Sequence, residues 1–303
     1  MPELISSSQN PKIKRLLALQ KDSSLRRECG LFVVEGRREL QHCIDAGFEI
    51  DTIFVCPEIA ESTLAPGPLS PKTSRSALIP PNLTVGPLPL TRPRVDTVYG
   101  DSGPGAGRES AAKVFEVSEA VYDKIAYRGG TEGAIAEVKS KSIRLEDLRL
   151  PQNPLIVVLE SVEKPGNLGA VLRSADAAGA DAVLICDPLT DLYNPNLIRA
   201  SIGAVFTVPT VACSSSDAIS WLQKNGVQIL TAQLQDSSLY YDCDMRRSTA
   251  IVMGTESTGL SQQWRQAATA HIRIPMLGSL DSLNVSVSAA ILLFEAVRQR
   301  QEK

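Results

Sequence analysis

The chain is predicted to be an α/β protein of two domains, a smaller α/β domain followed by a parallel sheet flanked by helices. Three observations predict this. From Leu155 onward short apolar runs alternate with amphipathic stretches, the pattern of strands joined by crossover helices. Several of those runs end in Gly-containing turns, at the strand ends where such sheets hold ligands. A Pro- and Gly-rich stretch over 65–112 interrupts the first half, and 303 residues suit two domains of about 100 to 200 residues each.

In chain order, Ser8-Gln9-Asn10-Pro11 followed by Ile13, Leu16, Leu17 and Leu19 predicts a capped amphipathic helix with Lys12, Lys14 and Arg15 near its start. A strand over 31–34 ends at Glu35-Gly36, a helix follows over 38–46, and a strand over 49–55. The stretch 65–112, with Pro66, Pro68, Pro71, Pro80, Pro81 and further prolines and glycines, predicts a disordered insertion that holds neither helix nor central strand. A strand over 114–117, a helix after Ser118 and a strand over 133–139 complete a first domain over 1–140. A linker over 141–153 leads to a second domain over 154–303. There, strands are predicted over 155–159, 182–186, 204–208, 227–231, 250–253 and 271–274, and helices over 168–178, 216–224 and 285–298.

Lys+Arg 31 against Asp+Glu 34 gives a net charge of −3, which excludes a uniformly basic coat for nucleic acid and leaves room for a local patch. Residues 10–38 supply one, with Lys12, Lys14, Arg15, Lys21, Arg26, Arg27, Arg37 and Arg38 against Asp22, Glu28 and Glu35. No run reaches the roughly 18 to 20 apolar residues of a membrane span, and the first 19 residues carry Pro11, Lys12, Lys14 and Arg15 where a signal peptide needs an apolar core. The expectation is a soluble, cytoplasmic protein. Six scattered cysteines without a C-x-x-C pair indicate no metal site, and His42 and His271 leave little scope for histidine chemistry.

Three loops concentrate the informative residues. The first, Glu163-Lys164-Pro165-Gly166-Asn167-Leu168-Gly169, runs from a strand into a helix that carries Arg173 two turns beyond Gly166. Taken alone, Asn167 reads as a helix cap and Arg173 as a surface cation. The second, Met253-Gly254-Thr255-Glu256-Ser257-Thr258-Gly259-Leu260, is a strand ending in glycine with a carboxylate two positions on. The third runs from Ile274-Pro275-Met276 to Ser282-Leu283-Asn284-Val285-Ser286, where capping needs only one of several polar residues. The dinucleotide fingerprint G-x-G-x-x-G is absent.

Read in order as N-L-G-x-x-x-R-S-A, G-x-E-x-x-G-L and I-P-M-x-G-x-x-x-S-L-N-V-S, the loops resemble the three motifs of the SpoU/TrmH branch of the SPOUT RNA methyltransferases, over about residues 154–300. Asn10-Pro11-x-Ile13-Lys14 and Phe32-Val33-Val34-Glu35-Gly36 resemble the ribosomal-protein-like substrate-binding domain that often precedes that catalytic domain. The resemblance implies transfer of a methyl group from S-adenosylmethionine to a ribose 2′-hydroxyl of RNA, by a homodimer whose SPOUT-type sheet carries a deep trefoil knot. By motif position the cofactor would lie on Gly254, Ile274 and Leu283, with Thr231 and Met276 beside them. Arg173 would bind the target phosphate and stabilise the developing alkoxide, Asn167 and Asn284 would orient the ribose or the arginine, Glu256 would organise the second loop and Ser282 would support the third. Lys12, Lys14, Arg15, Arg26, Arg27 and Arg37 would contact RNA. Many relatives carry Asp-Pro where this chain has Lys164-Pro165, and the Lys-Pro-Gly-Asn turn tilts the substrate toward ribosomal RNA and away from transfer RNA. The alternatives are a transfer-RNA methyltransferase and an RNA-binding protein that keeps the fold without turnover.

Overall fold

The computed structural model describes residues 3–62, 112–127, 132–255 and 258–301. Apart from Ala112, the insertion expected over 65–112 lies outside the described residues, and so does Glu256. The described residues divide into two compact units, one ending at Lys141 and the other beginning at Ser142.

The first unit opens with strand β1 (Glu3–Ile5) and helix α1 (Pro11–Lys21), which starts because Pro11 fits the first helical turn and Asn10 Oδ1 accepts from Lys12 N at 2.9 Å. Ile13, Leu16 and Leu19 make its fully buried stripe. Asp22 then caps α2 (Ser23–Cys29), which ends at Gly30 in the left-handed region, φ +63°. The remaining elements are β2 (Leu31–Glu35), α3 (Arg37–Asp45), β3 (Ile50–Val55), α4 (Pro57–Ser62), β4 (Lys113–Val117), α5 (Glu119–Ile125) and β5 (Ala134–Lys139). The sheet runs β1-β4-β3-β5-β2, with β4 parallel to both neighbours and β5 antiparallel to both of its own. Phe54, Tyr122 and Ile135 fill the core between this sheet and α1.

The second unit contains β6 (Leu155–Glu160), α6 (Pro165–Ala178), β7 (Ala182–Cys186), α7 (Pro195–Ala200), α8 (Ala204–Thr207), β8 (Thr210–Cys213), α9 (Ser215–Lys224), β9 (Gln228–Ala232), β10 (Ser238–Leu239), β11 (Thr249–Met253), α10 (Gln262–Ala267), β12 (Ala270–Arg273) and α11 (Val285–Gln301). Its seven strands are all parallel, in the order β10-β12-β9-β11-β6-β7-β8. Every residue of β6, β7 and β11 is buried, as expected of strands with both faces covered. The stretch expected as a linker joins this unit: Leu145 is buried in its core, and Ile143, Leu148 and Leu150 pack against that core.

One predicted strand is wrong. Residues 204–208 form the short helix α8, because Gly203 at φ +79° turns the chain and Pro209 follows, and the strand falls instead at Thr210–Cys213. Ala204, Val205 and Phe206 are buried, and a short apolar run carries no period that separates a buried helix from a strand.

Candidate active site

The strand order has a switch point. From β6 the chain adds β7 and then β8 on one side, after which it crosses to the other side of β6 to lay down β9, and β11 later fills the position between β6 and β9. Ligands bind at the carboxyl ends of strands at such reversals. A cavity of about 480 Å³ lies there, lined by residues 232–235 after β9, Thr255 and Leu260 after β11, Ile274 and Met276 after β12, and Leu283 and Val285 where α11 begins. That volume is within the roughly 300 to 1,000 Å³ of small-molecule sites.

Met253, Thr255, Thr258, Gly259 and Leu260 make the wall at the end of β11. A Cβ on Gly254 would stand 2.3 Å from Gly259 O, so only glycine lets the loop fold back this closely. Thr255 Oγ1 accepts from Thr258 N at 3.1 Å and holds the turn. Met253, Leu260, Ile272 and Ile274 give the lining apolar residues for a flat heterocycle, and Gln233, Thr255 and Thr258 give it polar ones for the groups at its edge. Gln233 lines the cavity with its Oε1 buried and without a hydrogen-bond partner among the described residues, while its Nε2 donates to Gln235 O at 2.9 Å. These features fit S-adenosylmethionine, whose adenosine offers both a flat ring and donors. Of the predicted cofactor contacts, Ile274, Met276 and Leu283 line the cavity and Gly254 lies between the lining residues Met253 and Thr255; Ser282, expected to support the third loop, lines it too. Thr231 lies beneath it, fully buried in β9 with its hydroxyl 2.6 Å from His271 Nδ1.

A second cluster sits at the cavity's edge. Asn284, between two lining residues, donates from Nδ2 to Asn167 Oδ1 at 3.1 Å across 117 residues of sequence. Its Oδ1 accepts from Ser286 N at 3.0 Å, so one side chain both caps α11 and ties it to the first turn of α6. Gly169 explains how α6 comes close to α7: a Cβ there would stand 2.5 Å from Ala200 Cβ. Gly166 has nothing within 4 Å of where its Cβ would be, and Arg173, two turns on, is exposed with no hydrogen bond or ion pair among the described residues. Ser282 Oγ donates to Asp281 Oδ1 at 3.3 Å.

Sequence reasoning missed Glu160. Its buried carboxylate accepts from Ser261 N at 2.8 Å and from Ser215 Oγ at 3.4 Å, and Trp264 Nε1 donates to the same Ser215 Oγ at 2.9 Å. The β11–α10 loop is thereby anchored to the end of β6. A carboxylate closing the apolar run Leu-Ile-Val-Val-Leu-Glu was the available signal.

The predicted RNA contacts divide. Arg26 is corrected: it is 4% exposed, with Nη1 on Leu19 O at 2.6 Å, and cannot reach a phosphate. Arg15 is paired with the fully buried Glu137 and lies 3.4 Å from Asp51, and those carboxylates hold its guanidinium above its ordinary pKa. Lys12 lies 3.3 Å from Glu3 and over the Phe115 ring, Arg37 Nη2 reaches Ala60 O, and Lys14 and Arg27 are exposed. Among the described residues there is no cluster of three or more His, Cys, Asp or Glu that could hold a metal ion, and no helix long and apolar enough to cross a membrane.

A parallel α/β sheet with a cavity at its switch point, and a hydrogen-bonded Asn pair beside that cavity, fits an enzyme that binds an adenosine-type cofactor and brings a polar substrate beside it. Residues 154–294 match the SpoU rRNA Methylase family, and residues 10–76 match the MRM3-like substrate binding domain. The chain is 36% identical over 182 residues to a 23S rRNA (guanosine-2′-O-)-methyltransferase RlmB of Pseudomonas putida, covering 58% of this chain and 73% of that protein. It is 37% identical over 193 residues to the RlmB of Vibrio cholerae, covering 62% and 78%. Among solved structures it resembles an RNA 2′-O ribose methyltransferase (TM-score 0.72, 36% identity, 98% of this chain and 99% of that one) and the AdoMet-bound rRNA methyltransferase of Sinorhizobium meliloti (TM-score 0.77, 27% identity, 98% and 97%). The chain belongs to the SpoU family of RNA methyltransferases.

Proposed function

We propose that this enzyme methylates a ribose 2′-hydroxyl of ribosomal RNA, with Asn167, Arg173 and Asn284 holding the reacting nucleotide at the edge of the S-adenosylmethionine cavity. The observation that carries the reading is the Asn167–Asn284 hydrogen bond, which joins the first and third motif loops beside that cavity. The cofactor supplies an electrophilic methyl group on a sulfonium. The chain's task is to place the hydroxyl oxygen and to stabilise the charge that grows on it. A guanidinium with a pKa above about 12 is a poor base and a strong donor, so Arg173 grips the target phosphate and the developing alkoxide, and that phosphate is positioned to take the proton. Glu256 organises the second loop and Ser282 supports the third.

Lys12, Lys14, Arg27 and Arg37 of the first unit are the cations that meet RNA phosphates in this reading. The strand order, in which β11 enters between β6 and β9, supports the trefoil knot implied by the resemblance. A homodimer is part of the reading too: Val287 (47% exposed), Ile291 and Phe294 (49% exposed) recur at helical spacing as an apolar stripe on α11 that a second copy would cover. A cytoplasmic location goes with the ribosomal substrate. The test is transfer of tritiated methyl from S-adenosylmethionine to RNA from a strain lacking the gene, followed by nucleoside analysis. Label in a 2′-O-methyl nucleoside of ribosomal RNA is expected. Label on a base overturns the ribose reading, and label confined to transfer RNA overturns the substrate.

A further inference from the structure

We propose that Arg265 binds the amino-acid carboxylate of the cofactor, an inference that rests on the cofactor reading above. Arg265, in α10, lines the cavity and belongs to none of the three motif loops. Its Nε donates to Leu260 O at 3.2 Å, which fixes the plane of the guanidinium, and neither Nη has a partner among the described residues. Gly259, at φ +66°, packs beside it: the place of a Cβ there is 3.8 Å from Arg265 Nη2. An oriented, half-buried guanidinium with both outer nitrogens unengaged is a fork for a planar anion.

The ligand must then bring an anion to this side of the cavity. S-Adenosylmethionine has one, its carboxylate; its sulfonium and ammonium are cations that an unmatched arginine would repel. Asp281 lines the same cavity, so the lining offers a carboxylate for the ammonium as well as a cation for the carboxylate of a zwitterionic amino-acid group. Arg273 also lines the cavity, with Nη1 directed at Ser237 Oγ, 3.5 Å away. It is the competing cation.

Calorimetric titration with S-adenosylhomocysteine and with its decarboxylated analogue, two ligands that differ only in the carboxylate, tests this without turnover. Wild-type protein should bind S-adenosylhomocysteine about 10- to 100-fold more tightly than the analogue, the range of a hydrogen bond to a charged group. Arg265→Gln should lose that factor for S-adenosylhomocysteine and bind the analogue as wild type does, so that the two affinities converge. Arg265→Lys should recover part of the difference, and convergence of the two affinities in Arg273→Gln in place of Arg265→Gln would give the carboxylate to Arg273 and overturn the proposal. Equal weakening of both ligands by Arg265→Gln would mark Arg265 as a brace for the Leu260 turn and overturn the proposal. Unchanged S-adenosylhomocysteine affinity with a raised KM for RNA would also overturn it and move Arg265 to the substrate. Wild-type protein that binds both ligands equally overturns the Arg265 assignment alone, whereas wild-type protein that binds neither overturns the cofactor reading beneath it.

Discussion

In the first unit Arg15 lies against Glu137 and Asp51, and Arg26 is buried with a nitrogen on a main-chain carbonyl; in the second, Arg173 stands exposed and unpaired beside an open helix face. The second unit has its own structural arginine as well. Arg300 donates to the carbonyls of Met245, Asn153, Pro154 and Arg247, which fastens the last turn of α11 to the start of β6. The contrast is therefore between arginines whose donors are consumed by their own chain and those whose donors are left for something else. Position in a basic stretch of sequence does not sort them. The hydrogen bonds do.

The sharpest way to break this contrast is Arg173→Ala. Methyl transfer should fall by about 10²- to 10³-fold, as when a donor to a developing oxyanion is removed, while S-adenosylhomocysteine affinity and thermal stability stay at wild-type values. Retained turnover would sink the assignment. Arg26→Met should do the reverse, lowering the stability of the first unit by about 1.5 to 3 kcal/mol in denaturant titration and leaving cofactor affinity unchanged. A loss of RNA affinity without a loss of stability would return Arg26 to the substrate surface.

Asn167→Ala breaks the bond to Asn284 and spares the α11 cap; turnover should drop about tenfold, and the double variant with Asn284→Ala should be worse by less than the product of the two single losses, measured as a double-mutant cycle. Lys14→Ala removes a first-unit cation with no partner among the described residues, and should lower the slope of log affinity for RNA against log salt by about 1. An unchanged slope would remove Lys14 from the interface. The smallest effect belongs to Glu137. Burial pushes its carboxyl above the ordinary value of 4.5 even with Arg15 beside it, so its folded pKa exceeds its unfolded one. Its contribution is then fully present below the unfolded value and declines as pH rises through the folded one. Glu137→Gln should flatten that decline in urea midpoints measured from pH 4 upward.

Much of the fold was legible because β6, β7 and β11 are buried on both faces and read as unbroken apolar runs between helices. The elements that escaped are those too short to show a period. The two-residue β10 and the turn-length α7 left no pattern, and Ala-Val-Phe in α8 reads equally well as a strand. At the site, Asn167 and Asn284 were each recognisable as motif residues, but their hydrogen bond joins positions 117 apart and depends on α11 packing over α6. Glu160 and Arg265 fall outside the motif loops, and their significance lies in what surrounds them. Arg26 shows the opposite failure, since a cation in a basic run gives no sign that its guanidinium is folded inward onto Leu19.

The place of β11 between β6 and β9 has a consequence in time. While the polypeptide is being synthesised, β9 is complete before residue 249 has been made, yet nothing made so far can bridge the gap between β9 and β6. For that interval two inner strands present bare edges, the condition under which strands recruit neighbours from other chains. A nascent copy halted there holds β6, β7 and β8 together with a lone β9 whose two neighbours are both still to be made, and crowding on a polysome is the circumstance in which the wrong partner would be nearest.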